Sequence, residues 1–149
     1  MVEVRKATRA DIPIIIDFQK KMAQETEHIT LENSKIENGV LAVFEDPNKG
    51  FYIVAHEKER VVASLMMTPE WSDWRNGYFL WIQSLFVSPS FRNNGIFKEM
   101  YSYVKELVIA SDDFCGVRLY VEVNNTIAQE VYSKVGMDQD HYKMFEWTK

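Results

Sequence analysis

Ser84-Leu-Phe-Val-Ser-Pro-Ser-Phe-Arg-Asn-Asn-Gly-Ile-Phe-Lys-Glu-Met100 reads, in order, as a buried strand, a tight polar turn and the first turns of an amphipathic helix. Leu85, Phe86 and Val87 are consecutive apolar residues, as suits a strand covered on both faces. Pro89 lacks a ladder donor and ends that strand. Beyond the turn, Ile96, Phe97, Met100, Val104, Leu107 and Val108 recur at helical spacing, with Lys98, Glu99, Ser102, Lys105 and Glu106 on the other side. One helix therefore starts at Arg92-Asn-Asn-Gly95 and packs on a sheet.

The first amides of a helix have no partner inside it, and the helix dipole adds partial positive charge there, so such an end can hold a phosphate. Gly95 lets backbone approach a ligand closely, and Arg92 adds a cationic, multidentate donor. Taken alone, Arg-x-x-Gly at a strand-to-helix turn also describes ordinary turn chemistry.

Working outward, a chain of 149 residues, 46% of them hydrophobic, has the size of one domain. A domain of that length buries roughly 70% of its unfolded surface and needs no metal or disulfide for stability. The single Cys115 has no internal partner, which suits a reducing cytoplasmic compartment. With no signal peptide and no apolar run of membrane length, a soluble protein without a membrane partner is expected. The net charge of -5 disfavours nucleic-acid backbone as a ligand and is compatible with cationic substrates.

From the start, Val2 and Val4 alternate with Glu3 and Arg5 in a short strand. Thr8-Arg-Ala-Asp11 has the form of a capping box and Pro13 falls in a first helical turn, so a helix runs to about Ala23, with Ile12, Ile15, Ile16, Gln19, Met22 and Ala23 inward. Glu25 to Thr30 reads as a polar loop, and its His28, with no titratable partner fixed beside it by spacing, reads as solvated. A second helix spans Glu32 to Phe44 and ends at the Asp46-Pro-Asn-Lys-Gly50 turn. Phe51 to His56 and Arg60 to Thr68 form a hairpin. Pro69 to Gly77 reads as a turn-rich connection carrying Trp71 and Trp74, which either stack on an acyl chain or amine or cap the core edge. Asn76-Gly77 leads into a strand from Tyr78 to Val87. After a loop at Ser111 to Gly116 come a strand from Val117 to Val123 and a helix with Ile127, Ala128, Val131, Tyr132 and Val135 inward and Gly136 at its C-terminal cap. A last strand covers about His141 to Trp147.

Two segments thus occur in one order: Leu85-Phe-Val87 with Arg92-Asn-Asn-Gly95, then Leu119 to Asn125 with Ala128, Tyr132 and Gly136-Met137. Together they resemble the GNAT superfamily of acetyl-CoA-dependent N-acyltransferases. The family's Val-x-x-x-x-Arg/Gln-x-x-Gly-x-Gly/Ala is matched from Val87 to Gly95, with Phe97 in place of the last Gly or Ala. Its Asn-x-x-Ala-x-x-x-Tyr-x-x-x-Gly is matched throughout from Asn125 to Gly136.

The resemblance implies an α+β fold of three layers in a single domain over residues 1–149. Its mixed, mostly antiparallel sheet is flanked by about four helices and splays between the strands ending at Val87 and Val123. Acetyl-CoA is the implied cofactor, and no metal is. The backbone of Leu85, Phe86 and Val87 would pair with the pantetheine arm, the amides of Arg92, Asn93, Asn94, Gly95, Ile96 and Phe97 would hold the pyrophosphate, and Asn125 and Tyr132 would lie near the thioester. The helical stripe directs Phe97 into the core rather than against the pantetheine. Family members commonly dimerise, so a homodimer is among the implied partners.

In the implied reaction a neutral amine attacks the thioester and a thiolate leaves. A thiol ionises near pH 8.5 and a tyrosine near 10, so Tyr132 is protonated and can act as general acid; it also reads as an aromatic on a buried helix face. An amine with a pKa near 10.4 is protonated by more than a thousand to one at pH 7, so a base or water must deprotonate it. The layout from Trp71 to Val87 resembles the diamine (spermidine/spermine) branch, whose Glu-Asp before the apolar run is Gln83-Ser84 here. Gln cannot act as a base, which leaves Glu122, Glu70, Glu27 or water. The substrate candidates are Trp71, Trp74, Gln83, Ser84 and Glu122. The expected function is transfer of acetyl to a primary amine of a small molecule; the alternatives are a non-catalytic acyl-CoA-binding module and acetylation of a protein amine.

Overall fold

A computed structural model describes residues Met1 to Lys149. The chain divides into two compact units, Met1–Arg118 and Leu119–Lys149.

In the first unit, β1 (Glu3–Lys6), β2 (Phe51–Glu57), β3 (Arg60–Ser72), β4 (Gly77–Val87) and β5 (Phe114–Arg118) form one sheet in chain order. The first four strands are antiparallel and β5 joins β4 in parallel, so the sheet is mixed and mostly antiparallel. The unit's helices are α1 (Ile12–Glu27), α2 (Asn33–Glu45) and α3 (Ile96–Ile109); α4, in the second unit, brings the helices to four, and the fold is α+β as the sequence implied.

The capping box fastens α1 to β1. The Thr8 N–H donates to Asp11 Oδ2 at 2.7 Å, and the Arg5 guanidinium forks onto both Asp11 oxygens at 2.7 and 3.1 Å. Arg5 is the main reason that the buried Asp11 carboxyl is held below the usual carboxylate range, with the Thr8 N–H contributing. From there the apolar stripe of α1 lies on the sheet. Ile15, Val40, Tyr52 and Val54 form a buried cluster with Ile12, Ile16, Ile36, Val43 and Met66 around it. Burial pushes the Tyr52 phenol up to about 12. The alternate strand residues Ile53, Ala55 and Leu65 are fully buried on the opposite face, the side left for α3, whose Ile96, Phe97, Met100, Tyr101 and Val104 are buried.

Three expectations for this unit need correction. Helix α1 runs one turn past Ala23, so Glu25 to Glu27 are helical and the loop begins at His28, which closes the helix with φ 54. Pro69 to Ser72 belong to β3 rather than to a connection, and the turn shrinks to 73–76. Proline is tolerated there because β2 pairs with β3 only as far as Met67, so the missing donor falls on an unpaired edge. Strand β5 starts at Phe114, inside the expected loop, and ends at Arg118 rather than Val123.

In the second unit α4 spans Thr126–Lys134. Asn125 Oδ1 accepts from the Ala128 N–H at 3.1 Å, the side-chain cap that an Asn at this position provides. At the other end Gly136 takes φ +92, its N–H donates to Ser133 O at 3.0 Å, and the Met137 N–H donates to Tyr132 O at 3.1 Å. Residues 119–123 and 141–147, expected as strands, are not strands in this unit. Alternating apolar residues permit a strand, but a strand exists only against a partner edge. Ile127 and Val131, expected inward, are exposed, while Ala128, Tyr132 and Val135 are half-buried.

Candidate active site

Strand β4 has two halves. From Tyr78 to Trp81 it is paired on both sides, with β3 and with β5. From Ile82 to Val87 its strand partner within this unit is β3 alone. In that second half the register with β3 shifts between Ser64 and Met66, so that Ser84 and Leu85 together oppose Leu65, and Ser84 sits at φ 52. This is a β-bulge, which bends the strand and frees a backbone group from the ladder. Gln83-Ser84, which stands where the diamine branch has Glu-Asp, is thus where the strand bulges.

The chain then enters a short 3-10 turn, Pro89–Phe91, and reaches α3 through Arg92 to Gly95. Gly95 enters the helix at φ +74, which a side chain tolerates poorly, and nothing lies within 4 Å of where its Cβ would stand. The N–H groups of Asn94, Gly95 and Ile96 donate to no backbone carbonyl. An open edge, a bulge and a helix start with unclaimed amides therefore follow one another over 82–96. A thioester carried on a long amide-bearing arm with a diphosphate fits this succession: the arm can add to the edge and the diphosphate can take the amides.

The Arg92 side chain is engaged elsewhere. Its Nε donates to Val87 O at 2.9 Å, its Nη2 to Glu25 Oε2 at 2.7 Å, and its guanidinium lies 5.5 Å over the Phe86 ring. Phe97 is 8% exposed and stacks on Tyr101 at 5.9 Å, so the departing residue of the first motif turns into the core, as its stripe requires.

The register sorts the substrate candidates. Met66, Thr68 and Glu70 alternate on the β3 face that α1 and α2 cover, and their partners Gln83, Trp81 and Phe79 share it. Gln83 Nε2 donates to Thr68 Oγ1 at 2.6 Å, and Arg118 Nη1 meets Glu70 Oε1 at 2.6 Å while its guanidinium covers the Phe79 ring at 3.6 Å. Trp71 lies on the other face with Tyr78, 4.9 Å away, and Trp74 in the turn is 91% exposed. Gln83 and Trp71 are thus separated by the sheet. Trp81, two residues before Gln83, shares that face by the strand's period of two. The carboxylate of Glu122 accepts from the Asn124 N–H at 3.0 Å and from its Nδ2 at 3.2 Å. Burial raises the half-buried Tyr132 phenol above its ordinary value, so it is protonated throughout the neutral range.

Residues 13–137 match the model of the acetyltransferase (GNAT) family. The chain belongs to that family. Among solved structures, a possible acetyltransferase from Clostridium difficile 630 is 39% identical, with a TM-score of 0.91 over 100% of this chain and 98% of that one. The aminoglycoside N-acetyltransferase AAC(6')-Iy, solved with a bisubstrate CoA analogue, shares the fold at 12% identity, with a TM-score of 0.81 over 100% of this chain and 99% of that one. Glucosamine-6-phosphate N-acetyltransferase from Arabidopsis thaliana, at 16% identity, has a TM-score of 0.73 over 100% of this chain and 99% of its own. No curated protein matches. No helix of the chain is long and apolar enough to cross a membrane.

Proposed function

We propose that residues 1–149 work as one catalytic domain that transfers acetyl from acetyl-CoA to a primary amine of a small molecule in the cytoplasm. One observation carries the reading most: in a chain of an acetyltransferase family, the half-open edge of β4 runs directly into the unclaimed amides that start α3. The aminoglycoside enzyme of the same fold, solved with a CoA analogue, supports it.

Acetyl-CoA supplies an activated acetyl group as a thioester. The backbone of Leu85 to Val87 binds the arm of the donor, and the amides from Asn93 to Phe97 bind its diphosphate, with Gly95 giving the backbone clearance. Gln83 and Ser84, at the bulge, border the place where the amine attacks. Tyr132 Oη holds a proton at neutral pH and passes it to the departing sulfur as charge develops there. Asn125 orients the start of α4 and thereby Tyr132. Glu70 is occupied by Arg118, Glu122 by Asn124, and Glu27 is exposed at the last residue of α1, so in this scheme the amine loses its proton to water and the rate rises with pH towards the amine's own pKa. Trp71, turned to the opposite face, and the exposed Trp74 are left out of the acceptor site. A homodimer is compatible with this scheme and adds nothing to it.

The test is a thioester-cleavage assay over a panel of small amines and lysine peptides. Release of CoA with a small amine supports the proposal. Binding of CoA with no transfer to any amine points to a non-catalytic module, and transfer to peptides alone points to a protein acceptor.

A further inference from the structure

Arg92 is the one charged side chain of the turn between β4 and α3, and three groups hold it. Its Nε donates to the carbonyl of Val87, the last residue of β4, at 2.9 Å. Its Nη2 donates to Glu25 Oε2 at 2.7 Å, from a residue 67 positions away in the last turn of α1. Its plane covers Phe86, whose ring lies 4.8 Å from Phe18, also on α1. A planar guanidinium can bond a carbonyl and a carboxylate at once from different nitrogens, which an ammonium does less well.

We infer that Glu25 is a positioning residue for donor binding. By anchoring the far side of the Arg92 guanidinium, it keeps the near side on Val87 O and so holds the turn in the shape that presents the α3 amides. Arg92 acts on the diphosphate through the turn rather than as its ligand. The inference rests on the proposed reading of that turn as the diphosphate site.

Both partners are about two-fifths exposed, Arg92 42% and Glu25 41%, so the ion pair itself adds little to stability. Its effect falls on the order of the turn. The sign of that effect is diagnostic. A carboxylate that merely stood near a bound diphosphate would repel it, and neutralising Glu25 would tighten binding. A positioning carboxylate predicts the opposite.

Calorimetric titration of CoA into the full chain is the test, with wild type, Glu25→Gln, Glu25→Asp, Arg92→Ala and the Glu25→Gln/Arg92→Ala double variant. Glu25→Gln should weaken CoA about three- to fivefold, the range an exposed pair allows. Its kcat at saturating acetyl-CoA should stay within about twofold while KM for acetyl-CoA rises, the split expected of lost binding rather than lost chemistry. Glu25→Asp should recover part of the affinity, and the double variant should bind as Arg92→Ala does, because both changes cut one linkage. Unchanged or tighter binding in Glu25→Gln, or additive losses in the double variant, would overturn the inference while leaving the proposed function standing. Wild type that binds no CoA would remove both.

Discussion

The two motifs that carry the family resemblance open two helices in opposite ways. At the start of α3, Gly95 enters at φ +74 and the amides of Asn94 to Ile96 are left without backbone partners. At the start of α4, Asn125 caps the end with its own side chain, whose Oδ1 accepts from the Ala128 N–H at 3.1 Å. The far end of α4 is closed as well, through Gly136 and Met137. An open helix start is suited to receive an anion, whereas a closed one fixes the helix and so the direction of what it carries. In the proposed function the first motif would bind through backbone and the second would present a side chain, Tyr132.

That contrast can be broken at each end. Tyr132→Phe should have the largest effect, lowering kcat about a hundredfold, the scale of a lost general acid, with CoA affinity unchanged by calorimetry. Since burial raises the Tyr132 phenol, wild type should show no loss of activity from its ionisation until the pH passes the ordinary tyrosine value of about 10; a falling limb at lower pH that disappears in Tyr132→Phe would contradict the assignment. Next, Gly95→Ala places a side chain on a left-handed residue, which costs about 1 to 2 kcal/mol of stability in a thermal melt. The added methyl would stand in space that is open in the protein and that the proposed donor fills, so CoA affinity of the folded variant should fall by about tenfold. Smallest is Asn125→Ala, which should lower stability by about 1 kcal/mol with CoA affinity unaltered, and which Asn125→Ser should largely restore.

Local chemistry made much of this legible in the sequence. The apolar stripe from Ile96 to Val104 foretold a buried face, and it placed Phe97 in the core where the family pattern has Gly or Ala. Thr8-x-x-Asp11 and Gly136 each announced a helix end from four residues or fewer. What stayed hidden depends on neighbours distant in the chain. Pro69 looked like a strand breaker because nothing local tells that β2 stops at Met67. Glu25 looked like loop because its partner is 67 residues away. The bulge at Ser84 follows from two strands failing to match in step, which neither strand announces alone. Conversely, the apolar alternation of 119–123 and 141–147 announced strands where the chain has none.

In the proposed function the donor's diphosphate lies on the open start of α3 and its arm along the second half of β4. A titration of isotope-labelled protein with CoA, followed amide by amide in nuclear magnetic resonance spectra, tests it directly. The largest shifts should fall at Leu85 to Val87 and Asn93 to Lys98, with a small one at the capped amide of Ala128. Shifts concentrated at the start of α4, with α3 silent, would contradict it.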